Sequence, residues 1–453
     1  MINLPKYKGR VGVFGLGKSG LSTVRALLAA GNKVTAWDDN PEQQRRAADM
    51  GAEVKDLTFN MDGLTKLILS PGVPLTHPQP HDIVKTAKAL GIPIEGDMDL
   101  LCDGLEGHAA RVVAITGTNG KSTTTALTAH ILRAAGRATQ MGGNIGVPVL
   151  DLTLDGSAEN ILVIEVSSYQ IDLLHRLRVD VAALTNISPD HLDRHGSMGG
   201  YISAKARLFD FVIDAGLILM GVDGSAERGI VEGLDRAVTR VATTGQDGDI
   251  RFENGCLITD GEIFDLSQVP ALSGRHNAQN AAVAIGVARH FGVESDCIRA
   301  ALSSFPGLEH RMQIVGYKDH VCFVNDSKAT NTEAATHALR AFNNIFWIAG
   351  GRSKSTGLAG IEGAIGAVTK AYLIGEAQTS FAEFLSPLGV SSEICNTLDN
   401  AIRAASRDAL QQSHAATLML SPACASFDQF ANFEARGQAF ITQVEAIMRE
   451  DLS

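Results

Sequence analysis

The sequence predicts an α/β protein of three domains, each built around a mainly parallel sheet. Its 453 residues, 45% hydrophobic and 20% charged, are enough for about three folded domains of ordinary size. Short apolar runs alternate with helix-like stretches, which is typical of parallel strands joined by helical crossovers. This alternation breaks near residue 106 and again at Pro306-Gly307. We therefore predict domains at 1–106, 107–308 and 309–453.

Composition and charge narrow the class of protein. A net charge of -11 with scattered Lys and Arg argues against nucleic-acid binding. The amino terminus carries no signal pattern, and no apolar run approaches the ~18 residues of a spanning helix. The six cysteines are far apart and lack zinc spacing, which is typical of reduced thiols. We expect a cytoplasmic monomer that binds small molecules and neither nucleic acid nor membrane.

The first domain opens with a stretch that matches two phosphate-binding patterns. Val11–Gly20, VGVFGLGKSG, contains G-x-G-x-x-G from Gly15 and G-x-x-x-x-G-K-S from Gly12. Either pattern places a phosphate over a glycine turn at the start of a helix. The strand candidates here are VGVFG, KVTAWDD, TKLILSPG and IPIEGD, and the helix candidates are the stretch after Ser19, PEQQRRAADMG and HDIVKTAKALG.

The second domain contains a clearer nucleotide signal. In AITGTNGKSTTT, a glycine-rich turn with Gly117, Gly120, Lys121, Ser122 and Thr123 separates a buried strand from a helix. Free backbone N–H groups and the helix dipole favour a phosphate there. The standard ATP-loop pattern fails, because its first glycine would fall on Ile115. We therefore predict a tighter phosphate loop than the standard one.

Three further side chains suggest a metal bound to triphosphate. Glu165 lies in the apolar run ILVIEV, where an unpaired carboxylate requires a cation. His191 follows the strand candidate VDVAALTNI, and Lys205 lies in a helical pattern. Alone, His191 fits a hydrogen-bonded loop residue and Lys205 a solvated helix lysine. With Ser122 and Glu165 they can instead surround a magnesium ion.

The remaining sequence completes the predicted α/β order. AGLILMGVD is a fourth strand candidate of the second domain. Asn254-Gly255 and Asp260-Gly261 separate β-rich runs and predict a small antiparallel addition. Helices are predicted near 275–292 and 295–305. The third domain has the strand candidates VCFVND, IFWIAGG, AYLIG and TLMLSP.

These motifs together resemble the Mur ligases, ATP-dependent enzymes that add amino acids to the peptidoglycan precursor. TGTNGKST, EVSSYQ, TNISPDHLDRH and the following helix lysine resemble the central domain of that family. The first domain is similar to its UDP-binding domain and the third to its amino-acid-binding domain. The resemblance covers essentially the whole chain. It implies Rossmann-like first and third domains around a central domain of the P-loop ATPase type.

Two carboxy-terminal motifs resemble the branch of the family that adds D-glutamate. They are NDSKATN, residues 325–331, and LSPACASFDQFANFEARG, residues 420–437, whereas the D-N-P-R signature of the diaminopimelate-adding branch is absent. The resemblance implies that ATP activates UDP-N-acetylmuramoyl-L-alanine as an acyl phosphate. The amine of D-glutamate then forms an amide, with release of ADP and phosphate. Such a reaction belongs to cell-wall synthesis, and thereby to cell shape and division.

The resemblance also assigns site residues. The residues expected at ATP are Gly117, Thr118, Asn119, Gly120, Lys121, Ser122, Thr123, Asn277, Asn280, Arg311 and Asp326. Those expected at the UDP substrate are Lys18, Ser19, Asp38, Ser70, Pro71, Gly72 and Asn144, and those at glutamate are Lys328, Thr330, Lys354, Ser426 and Phe433. Lys121, Glu165, His191 and Lys205 are the expected catalytic residues. Ser122, Glu165, His191 and Lys205 are the expected magnesium site, with Lys205 carrying a carbamate formed from CO₂.

The match departs from the family at two positions, and two alternatives remain open. Lys18 stands where the family usually has a neutral residue, and Arg352 where it more often has an acidic one. A folylpolyglutamate-synthase-like ligase would share the central domain without needing the first. An NAD-dependent dehydrogenase would use the first domain alone, with Asp38 on the cofactor ribose.

Overall fold

The computed structural model has the predicted α/β class. It describes residues 1–156, 159–245, 247–272, 274–353 and 357–449. The chain divides into two compact units, Met1–Phe305 and Pro306–Ser453. Within the described residues, three sheets have five, nine and six strands. The predicted domain limits at 106 and 308 stay predictions.

The first sheet is entirely parallel. Its strands are β1 (Arg10–Phe14), β2 (Lys33–Trp37), β3 (Glu53–Val54), β4 (Leu64–Leu69) and β5 (Ile94–Glu95). Its helices are α1 (Lys18–Ala29), α2 (Pro41–Asp49), α3 (Asp82–Ala89) and α4 (Asp97–Leu105). The order β3-β2-β1-β4-β5 is that of a doubly wound fold, in which the strand order reverses between β1 and β4. Loops leaving the carboxyl ends of these two strands therefore lie side by side, where such folds bind ligands.

The second sheet carries the predicted phosphate loop. Its strands are β6 (Arg111–Thr116), β7 (Thr139–Gly143), β8 (Ile161–Glu165), β9 (Val179–Leu184), β10 (Val212–Gly221), β11 (Thr239–Ala242), β12 (Ile250–Glu253), β13 (Cys256–Thr259) and β14 (Glu262–Asp265). The order is β14-β13-β12-β11-β10-β9-β6-β8-β7. Only the β12-β13 and β13-β14 pairs are antiparallel, as the two Asx-Gly turns predict. The four residues of these turns have positive φ, as a type I′ hairpin requires.

Helices cover this sheet on both faces. They are α5 (Lys121–Ala134), α6 (Ser168–Leu173), α7 (Leu192–His195), α8 (Met198–Ala206), α9 (Ser225–Gly233), α10 (Arg275–His290) and α11 (Ser295–Ser304). Strands β6, β8 and β9 are neighbouring interior strands of the sheet and are buried almost throughout. Their carboxyl ends carry the loops of the candidate site.

The second unit has its own mainly parallel sheet. Its strands are β15 (Gln313–Lys318), β16 (Val321–Asn325), β17 (Ile345–Gly350), β18 (Val368–Ile374), β19 (Ser392–Asn396) and β20 (Ala416–Leu420). Its helices are α12 (Thr332–Ala341), α13 (Gln378–Leu385), α14 (Leu398–Leu410) and α15 (Phe433–Arg449). The order is β15-β16-β20-β17-β18-β19, and only β15-β16 is antiparallel. No helix of the described chain is both long and apolar enough to cross a membrane.

Five strands have no counterpart among the predicted ones. Four of them, β3, β7, β15 and β19, are sheet edges. An edge strand has a neighbour on one side only and needs fewer apolar side chains, so its sequence lacks a clear strand pattern. Strand β7 is TQMGG and β19 is SEICN. The fifth, β11, is interior but only four residues long.

Candidate active site

The loop between β6 and α5 has the backbone of a phosphate-binding turn. Gly117 and Gly120 have φ of 148° and 82°, which residues with side chains rarely adopt. A Cβ on Gly117 would collide with the Thr185 hydroxyl, and one on Gly120 with the Asn280 amide. The first N–H groups of α5 lack intrahelical acceptors, so this end of the helix favours an anion.

The ammonium group of Lys121 folds back over this loop. Its Nζ donates to Gly117 O at 2.9 Å and to Thr118 O at 2.7 Å. Ser122 and Thr123 follow in the first turn of α5 and are buried. One positive charge is therefore held within the loop, in position for nucleotide phosphates.

Helix α10 places two predicted asparagines against the same loop. Asn280 Oδ1 accepts a hydrogen bond from Thr124 Oγ1 at 3.2 Å, and Asn280 Nδ2 donates to Asn277 Oδ1 at 3.1 Å. Both asparagines are buried. On the other side, Asn119 N–H donates to Asn186 Oδ1 at 2.9 Å. These amides fix the shape of the loop from two directions.

Glu165, at the carboxyl end of β8, is a buried carboxylate with one satisfied oxygen. Its exposed fraction is 1%, and Oε1 accepts from Asn144 Nδ2 at 2.8 Å. Its Oε2 is buried and has no hydrogen-bond partner in the described chain. Because a buried carboxylate oxygen without a donor is costly, this atom is suited to a cation.

Lys205 is not the solvated helix lysine that its local pattern alone suggests. It is 1% exposed, and its Nζ donates to Gly117 O at 2.8 Å. Burial, and to a lesser degree the charge of Lys121, lowers the pKa of Lys205 to about 7, against the opposing effects of Asp190 and Glu165. A substantial fraction of this amine is therefore neutral near pH 7.

His191 stands between β9 and α7, beside the same charges. Its φ is 52°, its Nε2 lies 3.3 Å from Asp190 Oδ2, and its ring centroid is 5.0 Å from that of Tyr169. Burial lowers the pKa of His191; Asp190 opposes this, and Lys121 and Lys205 add to it. The imidazole is therefore mostly neutral near pH 7, the form that binds metals.

The predicted UDP loops meet where the first sheet reverses its order. Ser19 Oγ lies 3.5 Å from Ser70 Oγ, and Gly15 has a φ of 86° with the Ser70 side chain packed against its Cα. The Asp38 carboxylate accepts from the N–H groups of Leu16 and Asn40. Both Asp38 oxygens thus already accept a hydrogen bond from a backbone N–H group. Pro71 and Gly72 follow Ser70 in the loop after β4.

In the second unit, the two predicted glutamate motifs contact each other. Arg436 donates to Ser327 Oγ at 3.0 Å, Ser327 O at 2.9 Å and Cys424 O at 3.1 Å. The Lys328 ammonium lies 5.7 Å from the centroid of the Phe433 ring. Two other predicted residues lie in these motifs: Thr330 donates its N–H to Lys328 O at 2.8 Å, and Ser426 is buried. The predicted Lys354 lies outside the described residues.

Comparisons with known proteins cover almost the whole chain. Residues 9–96 match the model of the Mur ligase MurD-like N-terminal domain, 115–288 that of the Mur ligase middle domain, and 310–424 that of the Mur ligase glutamate ligase domain. The UDP-N-acetylmuramoylalanine--D-glutamate ligase of Rhizobium johnstonii is 47% identical over 99% of this chain and 97% of its own. The chain belongs to the Mur ligase family. Proteins of the same name from Rhizobium meliloti and Paramagnetospirillum magneticum are 48% and 44% identical over at least 98% of each chain.

Solved Mur ligases share the fold at low sequence identity. The UDP-N-acetylmuramate-alanine ligase of Thermotoga maritima has a TM-score of 0.61 at 16% identity, over 97% of this chain and 100% of its own. A MurF structure from Acinetobacter baumannii has a TM-score of 0.62 at 16% identity, over 92% and 91%. These structures confirm the predicted fold class for this Mur ligase.

The residues of this Mur ligase fit a magnesium ion that depends on phosphate oxygens. No group of three or more His, Cys, Asp or Glu in the described ranges is arranged to hold a metal. Mg²⁺ commonly takes one or two carboxylates and completes its shell with water and substrate phosphate. The unpartnered Glu165 oxygen, on the strand beside β6 and its phosphate loop, meets that requirement, and Ser122 follows that loop in the first turn of α5.

The sequence reasoning missed two buried residues of this Mur ligase. His195 Nε2 lies 2.9 Å from Ser168 Oγ, and its Nδ1 lies 3.3 Å from Asp172 Oδ2. Burial lowers the pKa of His195 to about 4, so a neutral ring joins α7 to α6. Arg436 is the other. His195 ends the motif DHLDRH, and Arg436 lies in the motif FEARG. The position of each residue within its motif does not show whether the side chain is buried or exposed.

The departure at Arg352 has a local explanation. Its guanidinium pairs with the Glu376 carboxylate at 3.0 Å and 3.2 Å. Both side chains are exposed. The positive charge is therefore matched within the second unit.

Asp326 is a buried carboxyl group of the second unit. It accepts hydrogen bonds from Ser421 Oγ at 2.8 Å and Met312 N–H at 3.1 Å. Burial raises the pKa of Asp326 to about 7, against the effects of Ser421 and Arg311. Arg311 Nε is itself buried without a hydrogen-bond partner among the described residues. The predicted role of both residues at the nucleotide stays a prediction.

We expect Asp326→Asn to raise the melting temperature more at pH 8 than at pH 5. A carboxyl whose folded pKa is raised binds its proton more tightly when folded, so its contribution to stability falls as pH rises from about 4 to about 7. The amide avoids that cost: its oxygen can accept from Met312 N–H, and its NH₂ group can donate to the Ser421 hydroxyl, which reverses direction. Calorimetric scans at both pH values test this, with Asp62→Asn, at an exposed carboxylate, as the control. An equal shift at both would contradict it.

Proposed function

We propose that this Mur ligase joins D-glutamate to UDP-N-acetylmuramoyl-L-alanine at the expense of ATP, in the synthesis of peptidoglycan precursor. The observation that carries the nucleotide part is the phosphate loop with Lys121 folded into it and the unpartnered Glu165 oxygen nearby. The D-glutamate part rests on the relatives named UDP-N-acetylmuramoylalanine--D-glutamate ligase, which are 44–48% identical over at least 98% of this chain.

The reaction has two steps. An oxygen of the alanyl carboxylate attacks the γ-phosphorus of ATP, the bond to the β–γ bridging oxygen breaks, and ADP leaves. The amine of D-glutamate then attacks the acyl carbon, phosphate leaves, and the amine loses a proton as the amide forms. A free carboxylate is a poor electrophile, so phosphorylation supplies the leaving group. The protein contributes position and charge neutralisation.

The first step uses the residues around the phosphate loop. Backbone N–H groups at the start of α5 and the Lys121 ammonium bind the phosphates, and Asn277 and Asn280 hold the loop in shape. Ser122, Glu165, His191 and modified Lys205 would hold magnesium. When bound, this ion neutralises charge on the transferring phosphate. Arg311 and Asp326, in the second unit, are the remaining residues that we propose for ATP.

We further propose that Lys205 carries a carbamate. Its ammonium form repels a metal ion, whereas CO₂ adds to the neutral amine that burial favours. The C–N bond forms as the amine loses a proton, which leaves an anion. That anion suits a position beside magnesium and the γ-phosphate.

The two substrates have separate proposed sites. UDP-N-acetylmuramoyl-L-alanine occupies the loops of domain 1–106, with Lys18, Ser19, Asp38, Ser70, Pro71 and Gly72 around the UDP and Asn144 further in. D-Glutamate occupies domain 309–453, where its two carboxylates bind Lys328, Thr330, Lys354, Ser426 and the Phe433 region. The nucleotide occupies domain 107–308. We propose that the protein is a monomer in the cytoplasm. That compartment supplies ATP and is reducing, which suits the six free cysteines.

A panel of amino acids tests this function directly. We expect ADP release with ATP, magnesium and UDP-N-acetylmuramoyl-L-alanine to require D-glutamate, and mass spectrometry to detect the amide product. L-Glutamate and L-alanine are the controls. Dependence on a folate substrate would support the folylpolyglutamate alternative, and ADP release without the UDP substrate would contradict the proposal.

We expect UDP, and not NAD, to compete with the UDP substrate for the full chain. Both oxygens of Asp38, the residue that a dehydrogenase would use on the ribose, already accept backbone N–H groups. Calorimetric titration with UDP and with NAD, each with and without the UDP substrate, measures this. Tight NAD binding that the UDP substrate does not affect would instead support the dehydrogenase alternative.

A further inference from the structure

Two cationic side chains connect the first sheet's loops to those of the second sheet, in opposite directions. Lys18 Nζ donates to Gly146 O at 2.6 Å. Arg194 Nη1 donates to Gly72 O at 2.9 Å, and its Nη2 to Pro71 O at 3.4 Å. All of these residues lie in the compact unit Met1–Phe305. We call these two contacts the Lys18 strap and the Arg194 strap.

The Lys18 strap connects the glycine loop after β1 to Glu165, the carboxylate proposed to bind magnesium. Lys18 is the first residue of α1, directly after the loop proposed to receive UDP. Its acceptor, Gly146, is two residues from Asn144, whose amide holds Glu165 Oε1 at 2.8 Å. This chain of contacts connects the glycine loop to the amide that supports Glu165.

The Arg194 strap leads from the loop after β4 to His191. Arg194 lies in α7, which starts directly after His191. Its guanidinium carbon stands 4.5 Å from the centroid of the Tyr169 ring, and that ring lies 5.0 Å from the His191 ring. The Arg194 side chain thus joins the Pro71-Gly72 carbonyls to the Tyr169 ring, which in turn packs beside His191.

We propose that Lys18 and Arg194 are positioning residues that couple the UDP-substrate site to the nucleotide site. Ordering of the first loops by one ligand then reduces the ordering that the other ligand must bring about, so each ligand tightens the binding of the other. The straps use charged donors on neutral carbonyls, which are stronger than neutral hydrogen bonds. This inference rests on the proposed function.

Equilibrium binding tests the coupling without turnover. The dissociation constant of UDP-N-acetylmuramoyl-L-alanine is measured by calorimetry with and without magnesium and a non-hydrolysable ATP analogue. We expect the ratio of the two constants to be about 5 or more for the unaltered protein. Measured the other way, through the affinity for the nucleotide, the same ratio must result.

The variants separate coupling from general stability. Arg194→Ala and Lys18→Ala are expected to bring the ratio close to 1. Arg194→Lys should retain part of it, because one ammonium can still reach a carbonyl. The matched control is Arg236→Ala, which removes an arginine that donates to the Val212 and Ile213 carbonyls at 2.6 Å each and should keep the full ratio.

Each outcome decides between the two proposals. A ratio of 1 in the unaltered protein, or an undiminished ratio in well-folded Arg194→Ala and Lys18→Ala, overturns the coupling while the ligase proposal stands. Failure of either ligand to bind the unaltered protein overturns both. Melting temperatures identify a variant that fails to fold, and Arg194→Lys then supplies the comparison.

Discussion

Lys121→Ala is expected to lower kcat by about 100- to 1000-fold, the usual cost of removing one preorganised charge-stabilising donor. The Lys121 ammonium lies within the phosphate loop, where it bonds Gly117 O and Thr118 O. It is placed to meet negative charge as the γ-phosphoryl group transfers, so its loss acts mainly on the transition state. Steady-state ADP release at saturating substrates measures the effect.

The fold should survive this change. The loop keeps its glycine conformations and the Asn280 contact with Thr124, and Gly117 O still accepts from Lys205 Nζ. Lys85→Ala is a matched control, because Lys85 is an exposed helix lysine paired only with Asp82. We expect it to retain full activity. Most of the wild-type rate in folded Lys121→Ala would refute the assignment.

The site could be predicted from sequence where it depends on strand ends and glycines. Strands β6, β8 and β9 are interior strands with both faces covered, so their sequences are continuous apolar runs that end at the phosphate loop, Glu165 and the segment before His191. Parallel strands bring such ends to one edge of a sheet. This is why the predicted residues of the second domain are found together.

What the sequence does not indicate are contacts between distant residues. His195 and Ser168 are 27 positions apart, and Arg436 and Ser327 are 109 apart. The Lys18 strap spans 128 positions and the Arg194 strap 122. No local period relates such partners, because they meet only after the sheets have formed. The burial of Lys205 is of the same kind, since its Nζ bonds Gly117 O, 88 positions away, and its own helix pattern does not indicate this contact.

Lys205→Ala is expected to lose most activity, and a short carboxylic acid such as formate or acetate should restore part of it. The buried Lys205 amine has a pKa lowered to about 7, below its ordinary value of about 10.4, so the neutral form that reacts with CO₂ increases as pH rises through 7. The proposed carbamate would supply an anion beside the proposed metal site, and an added carboxylate can occupy the space left by the side chain. ADP release as a function of carboxylate concentration measures the rescue.

The decisive comparison is with Lys205→Arg, which keeps a positive charge and cannot form this carbamate. We expect it to be as inactive as the alanine variant and not to respond to acetate, because its guanidinium fills the space. ¹³C-labelled bicarbonate should give a carbamate signal in the unaltered protein and none in either variant. Full activity of Lys205→Ala, together with an unlabelled amine in the presence of magnesium and nucleotide, would reduce Lys205 to a packing residue. Loss of activity in both variants without rescue or label would instead indicate that Lys205 acts as an amine, through its bond to Gly117 O.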